Sequence, residues 1–161
     1  MIADTCIGDC MKRRVVTVTA STTVREATRV LVGEHVGTLP VVDEQRVLTG
    51  VVRLHDLLRV FMPDFVDLLD NIDFVNNFGA LEQAEPTALP GAADLTMGDL
   101  AGPPVAVEED SGLLHALATI VKHQLQDLPI IDSDGRLVGI TSRVDIAVAF
   151  FADWNPQGGS K

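Results

Sequence analysis

Leu39-Pro40-Val41-Val42-Asp43 and Leu128-Pro129-Ile130-Ile131-Asp132 are one pattern written twice, 89 residues apart. Working outward at that offset, Gly50 meets Gly139 and Asp56 meets Asp145. Upstream, Val16, Val18, Val24, Ala27 and Leu31 meet Val105, Val107, Leu113, Ala116 and Ile120. After a one-residue slip, Ile7-Gly8-Asp9 meets Met97-Gly98-Asp99. So many matches at one spacing mark an internal repeat, and the fold must be built from two like units.

Each copy carries the same order of local signals. A short β-like run comes first, Val15–Val18 or Val105–Val107. Thr23 with Glu26 three residues later forms a capping box, and Asp110-Ser111 offers a helix start in the second copy. Apolar residues then recur at helical spacing: Val24, Ala27 and Leu31, and Leu113, Leu114, Leu117, Ile120 and Val121. Two β runs joined by a turn follow, Leu39–Val42 with Val47–Val52 and Leu128–Ile131 with Leu137–Thr141. Ser133-Asp134-Gly135 is a hairpin signal. A closing helix covers Leu54–Met62 or Val144–Phe151. The unit is β-α-β-β-α, an α+β arrangement with a parallel crossover followed by an antiparallel hairpin. One copy of about 55 residues buries little core, so the pair is expected to fold together.

The chain has 161 residues, 47% of them hydrophobic, and a net charge of −11. No Lys or Arg occurs between Val60 and Val121, so the excess of acids falls in the middle of the chain. Phosphate backbones and anionic membranes need clustered cations, so neither is an expected partner. No apolar run is long enough to span a bilayer, and the start has no signal-peptide pattern. Cys6 and Cys10 read as reduced thiols of a cytoplasmic protein, with no further Cys to complete a zinc set. Phe61, Phe65, Leu68, Leu69, Ile72, Val75 and Phe78 predict an amphipathic helix over about 64–78, with Asp64, Asp67, Asp70 and Asp73 on a neighbouring face. The Pro- and Ala-rich run 85–94 reads as a linker. The expected organisation is a first repeat at 5–62, an insert and linker at 63–94, a second repeat at 95–152 and a tail at 153–161.

The ordered double set resembles the cystathionine-β-synthase (CBS) domain family, in which two tandem domains form a Bateman module. It is carried by Val16-Thr17-Val18, the two Leu-Pro pentapeptides, and the stretches Gly50-Val51-Val52-Arg53-Leu54-His55-Asp56 and Gly139-Ile140-Thr141-Ser142-Arg143-Val144-Asp145. The resemblance implies two repeats about a pseudo-twofold axis. It also implies an adenosine-containing ligand of the AMP, ADP, ATP or S-adenosylmethionine class, a homodimer, and a regulated partner protein still to be identified. No catalytic cofactor is implied.

The family pattern Gly-x-x-Ser/Thr-x-x-Asp gives each residue a task. The hydroxyl and the helix N-terminus behind it suit a phosphate, and a carboxylate takes the two donors of a ribose diol. Gly139, Ser142 and Asp145 match it fully. With Ile140, Arg143, Val16, Val36 and Gly37 they make up the expected better cleft, and Lys12, Arg13 and Arg14 lead into it. In the other cleft Arg53 replaces the hydroxyl, beside Gly50, Val51 and Asp56, with Val105, Leu125 and Gln126 as the borrowed wall. Arg53 suits a polyphosphate or pairs with Asp56 and fills the cleft. Ser142 with Asp145 also reads as an ordinary helix cap, and Asp127 disfavours polyphosphate nearby. His35, His55, His115 and His123 are scattered, and no metal, nucleophile or Walker pattern occurs, so neither catalytic nor metal-binding residues are expected. The competing expectation is a ligand-free dimerisation scaffold whose acidic insert docks a basic partner.

Overall fold

The structure is a computed structural model and describes residues 5–61 and 91–152. The expected helix at 64–78, most of the linker and the tail lie outside the described residues. In the first copy α1 (Val24–Glu34) precedes β1 (Thr38–Val42), β2 (Leu48–Arg53) and α2 (Leu54–Phe61). A turn of helix, α3 (Met97–Leu100), leads into the second copy: β3 (Val107–Glu108), α4 (Leu113–His123), β4 (Asp127–Ile131), β5 (Leu137–Ser142) and α5 (Arg143–Ala152).

Both hairpins are antiparallel, and their registers correspond residue for residue: Thr38 faces Arg53 as Asp127 faces Ser142. The first strand of each copy is shorter than its β-like run. β3 makes two parallel pairs with β4, and in the first copy only Val18 bridges Val41. Thr23 caps α1 and shares a capping box with Glu26. The second-copy helix starts one residue later than Asp110-Ser111 indicated, at the Gly112 cap, with no side-chain bond.

The two hairpin tips meet on the pseudo-twofold axis, where Val47 bridges its counterpart Arg136. Their turns are alike in backbone: Asp43 and Asp132 each accept two backbone N–H groups on Oδ1. Gly135 takes φ 78° where the first copy forces Arg46 to 63°. Val42, Leu48 and Leu137 form a small core at this joint. Two larger cores fill the copies, one around Leu39, Val41, Val52 and Met97, the other around Ile7, Leu128, Ile130 and Ile146.

Those cores reveal an exchange. Met97 precedes the second copy but packs in the first, where its N–H donates to Thr22 O; Ile7 precedes the first copy but packs in the second, where its N–H donates to Ser111 O. Each leader buries its anchor, Ile7 or Met97, in the opposite copy, so the two copies are packed into each other.

Candidate functional site

The exchanged leaders run along the inner edges of β2 and β5 and shape the two clefts. Lys12 and Ile140 exchange both backbone hydrogen bonds, at 2.8 and 2.9 Å; Gly102 and Val51 do the same at 3.0 and 3.3 Å. Both repeat glycines lie under these crossings. A Cβ on Gly50 would stand 2.9 Å from Ala101 Cβ and 3.0 Å from Gly102 O. One on Gly139 would stand 2.2 Å from Met11 Sδ and 3.2 Å from Lys12 O. At both positions the crossing leader, by side chain and backbone together, takes the space that a Cβ would need.

In the Asp145 cleft the helix cap forms as the bare sequence allows. Ser142 N–H and Oγ–H donate to Asp145 Oδ2 at 2.9 and 2.7 Å, and Asp145 N–H donates back to Ser142 Oγ at 3.2 Å. Lys12 Nζ completes the group, 3.1 Å from Asp145 Oδ2. Burial alone would raise the Asp145 carboxyl, but the Ser142 and Lys12 contacts outweigh it and hold it below the ordinary range. Asp127 stands nearby with the opposite balance: burial raises it, and Thr38 and Lys12 only partly oppose that. Met11 covers Gly139. Val16 and Val36 pack against the first core. Arg143 is exposed and borders an apolar face with Val144, Val148 and Phe151 instead of turning to Asp145.

The Asp56 cleft is more open. A pocket of about 200 Å³ is lined by Val51, Arg53, Asp56, Leu100, Gly102, Pro103, Val105, His123 and Leu125. Five of the seven residues expected here from the sequence, Val51, Arg53, Asp56, Val105 and Leu125, therefore come together. Gly50 lies beneath Ala101 and Gly102, and Gln126 is drawn to the axis, where its side chain fills the space beside its own counterpart Gly37. The space exists because Ala101-Gly102-Pro103 stands where the other cleft has Met11-Lys12-Arg13. Arg53 pairs with Asp56 through both carboxylate oxygens, Nε to Oδ2 at 3.0 Å and Nη2 to Oδ1 at 2.8 Å, with its backbone N–H also on Oδ2 at 2.9 Å. Burial would raise Asp56, yet these contacts hold it low, and the same hydrogen bond raises Arg53.

Leu100, Gly102, Pro103 and His123 were not expected in the wall. Carrying the Ile7-to-Met97 slip forward places Gly102 and Pro103 on Lys12 and Arg13, so for these two the signal was present; Leu100 and His123 fall on Cys10 and Glu34, which nothing in the sequence assigns to a cleft. Among the described residues no cluster of three or more His, Cys, Asp or Glu could hold a metal, and no helix is long and apolar enough to cross a membrane.

The family model for the CBS domain matches residues 7–63 and 94–152. The chain is 33% identical over 132 residues to the CBS domain-containing protein CBSX1, chloroplastic, of Arabidopsis thaliana, covering 80% of this chain and 56% of that one. It is 29% identical over 152 residues to CBSX2, chloroplastic, of the same plant, covering 89% and 62%. The chain thus spans about three fifths of the length of these curated relatives. A crystal structure of CBSX2 in complex with AMP superposes with a TM-score of 0.66 at 29% identity, covering 91% of this chain and 96% of that one. A CBS domain pair/ACT domain protein of Thermotoga maritima shares the fold, with a TM-score of 0.66 at 22% identity over 94% of this chain and all of the other.

Proposed function

We propose that this chain, which belongs to the CBS domain family, is a regulatory module that binds an adenosine-containing nucleotide and passes its occupancy to a partner protein. The observation that carries the reading is the pocket at the Asp56 cleft, which joins a carboxylate and a guanidinium to the apolar walls Val51, Leu100, Val105 and Leu125. Those walls suit a purine face, the carboxylate suits a ribose diol and the cation suits a phosphate. The AMP complex of CBSX2 supports the ligand class. The Asp145 cleft, which matches the family pattern more fully, is the weaker candidate, because Met11 and Lys12 occupy its inner side. The free thiols Cys6 and Cys10 favour a reducing compartment, for which we take the cytoplasm.

Calorimetric titration with AMP is expected to give one site per chain. Asp56→Ala should remove the heat and Asp145→Ala should leave it. Loss in Asp145→Ala alone would move the site to the other cleft, and no heat with any adenosine ligand would end the reading. The alternative, a ligand-free dimerisation scaffold, is favoured by one observation: both cleft aspartates already hold an internal cation, Asp56 with Arg53 and Asp145 with Lys12. Under that reading neither substitution changes a solution property other than stability.

A further inference from the structure

We propose that Arg53 makes the Asp56 cleft selective for a ligand carrying both a vicinal diol and a phosphate, by exchanging its internal partner for the ligand's. The inference rests on the placement of the ligand in this cleft argued above. Asp56 offers two oxygens with about four acceptor sites. The guanidinium holds one site on each oxygen and the Arg53 N–H a second on Oδ2. A diol brings two donors and needs acceptors on both oxygens, so it docks only as the guanidinium withdraws. Asp56 is the one acid among the described residues that line the pocket, and apart from His123 the walls around it are apolar. A released guanidinium therefore has no second carboxylate on the pocket wall to receive it.

A phosphate on the same ligand supplies that acceptor, in the two-pronged geometry a guanidinium prefers. The internal pair is then replaced by two external ones, Asp56 with the diol and Arg53 with the phosphate, and no charge is stranded. A nucleoside breaks the pair without replacing it. S-Adenosylmethionine offers Arg53 a carboxylate but brings a sulfonium and an ammonium with it, so it replaces the pair less well than a phosphate does. The contrast lies within the molecule: the uncharged Ser142 holds the equivalent position in the other copy, where the cation on Asp145 is Lys12, with a single contact on Oδ2 in place of a fork.

The test is calorimetric titration of AMP, adenosine and S-adenosylmethionine into the full chain and into Arg53→Ser and Arg53→Lys. AMP should bind the unmodified chain roughly ten- to hundredfold more tightly than adenosine, the range for a hydrogen bond to a charged group. Arg53→Ser, which installs the residue type of the second copy, should cut that ratio to about threefold or less, through both weaker AMP and stronger adenosine binding. Arg53→Lys, a cation without the fork, should fall between. Thermal melts of each variant with and without ligand separate lost binding from lost folding. Equal affinity for AMP and adenosine in the unmodified chain, or an unchanged ratio in Arg53→Ser, overturns the selectivity and leaves the functional reading standing. Absence of heat with all three ligands brings down both.

Discussion

The hydroxyl of Thr141 is fully buried and meets no nitrogen or oxygen partner among the described residues; the Cys10 thiol, whose ionisation it favours, is a weak partner for it. Its counterpart at the 89-residue offset is Val52, 1% exposed in the first core, so the fold accepts an isosteric apolar group there. A thiol offsets little of the cost of desolvating a hydroxyl, so Thr141→Val should stabilise the chain by up to about 1 kcal/mol in urea denaturation. A loss of stability would mean the hydroxyl has a stronger partner. Asp127 poses a pH question. Burial raises its carboxyl above the ordinary value near 3.9, so its contribution to stability is fully present below that value and lost as pH rises through the folded-state pKa. Asp56 and Asp145 are held low and act in the opposite sense, losing their contribution as pH falls through their folded-state values. Asp127→Asn removes only the first effect. The melting temperature of the variant relative to the unmodified chain should therefore gain more at pH 7 than at pH 4, and an equal or smaller gain at pH 7 contradicts the assignment.

Each leader's backbone passes over one glycine, and what lies above that glycine differs between copies. Over Gly50 the near atoms are Ala101 Cβ and the Gly102 carbonyl, neither free to swing aside. Over Gly139 the nearest are Sδ and Cγ of Met11, the end of a flexible side chain, with the Lys12 carbonyl further off. Gly50→Ala should therefore cost about 1–3 kcal/mol, the usual range for overpacking, and Gly139→Ala clearly less. Equal losses by chemical denaturation would show that backbone and side chain yield alike. The same crossings show which features were legible in the sequence. The helices and hairpins were, because periodicity, the Thr23 box and the Asp-Gly turn are local. The repeat offset carried the symmetry, and the resemblance to the CBS family named most of the Asp56 wall. Cross-packing of Ile7 and Met97 was not legible, since the backbone bonds that hold it, Ile7 to Ser111 and Met97 to Thr22, join distant segments and leave no local pattern. For that reason the two clefts could be ranked by motif but not by what the leaders leave open. The motif ranked the Asp145 cleft first, whereas the open pocket lies at Asp56.

At the scale of the molecule, the helix pairs leave apolar surface facing out. Val144, Val148 and Phe151 follow one face of α5, 69%, 66% and 53% exposed, and Leu114 and Val121 of the adjoining α4 are 64% and 59% exposed. On the first copy Val32 is 74% exposed and Leu58 49%. Apolar faces on both copies point to a second copy of the chain as the group that covers them, a homodimer formed through the helices. Each fully buried Val side chain contributes about 1.5–3 kcal/mol. Placing glutamates at Val144 and Val148 removes two such groups per protomer and sets like charges against each other, so dimer affinity should fall by more than about a hundredfold. Analytical ultracentrifugation should find a dimer for the unmodified chain and a monomer for Val144→Glu with Val148→Glu, with circular dichroism unchanged. A monomeric unmodified chain at high concentration ends the idea. Such a dimer would also offer a route from cleft to partner. The pocket wall mixes first-copy residues Val51, Arg53 and Asp56 with Val105, His123 and Leu125 of the second copy, so a ligand there fixes one copy against the other. The two helix pairs ride on those copies, and by linkage a ligand that prefers one arrangement must change dimer affinity by the factor that dimerisation changes ligand affinity. Sedimentation with and without saturating AMP reads that factor directly. An identical dimer constant in both would show that occupancy is not transmitted through the helices, and the signal would then have to leave from the cleft itself.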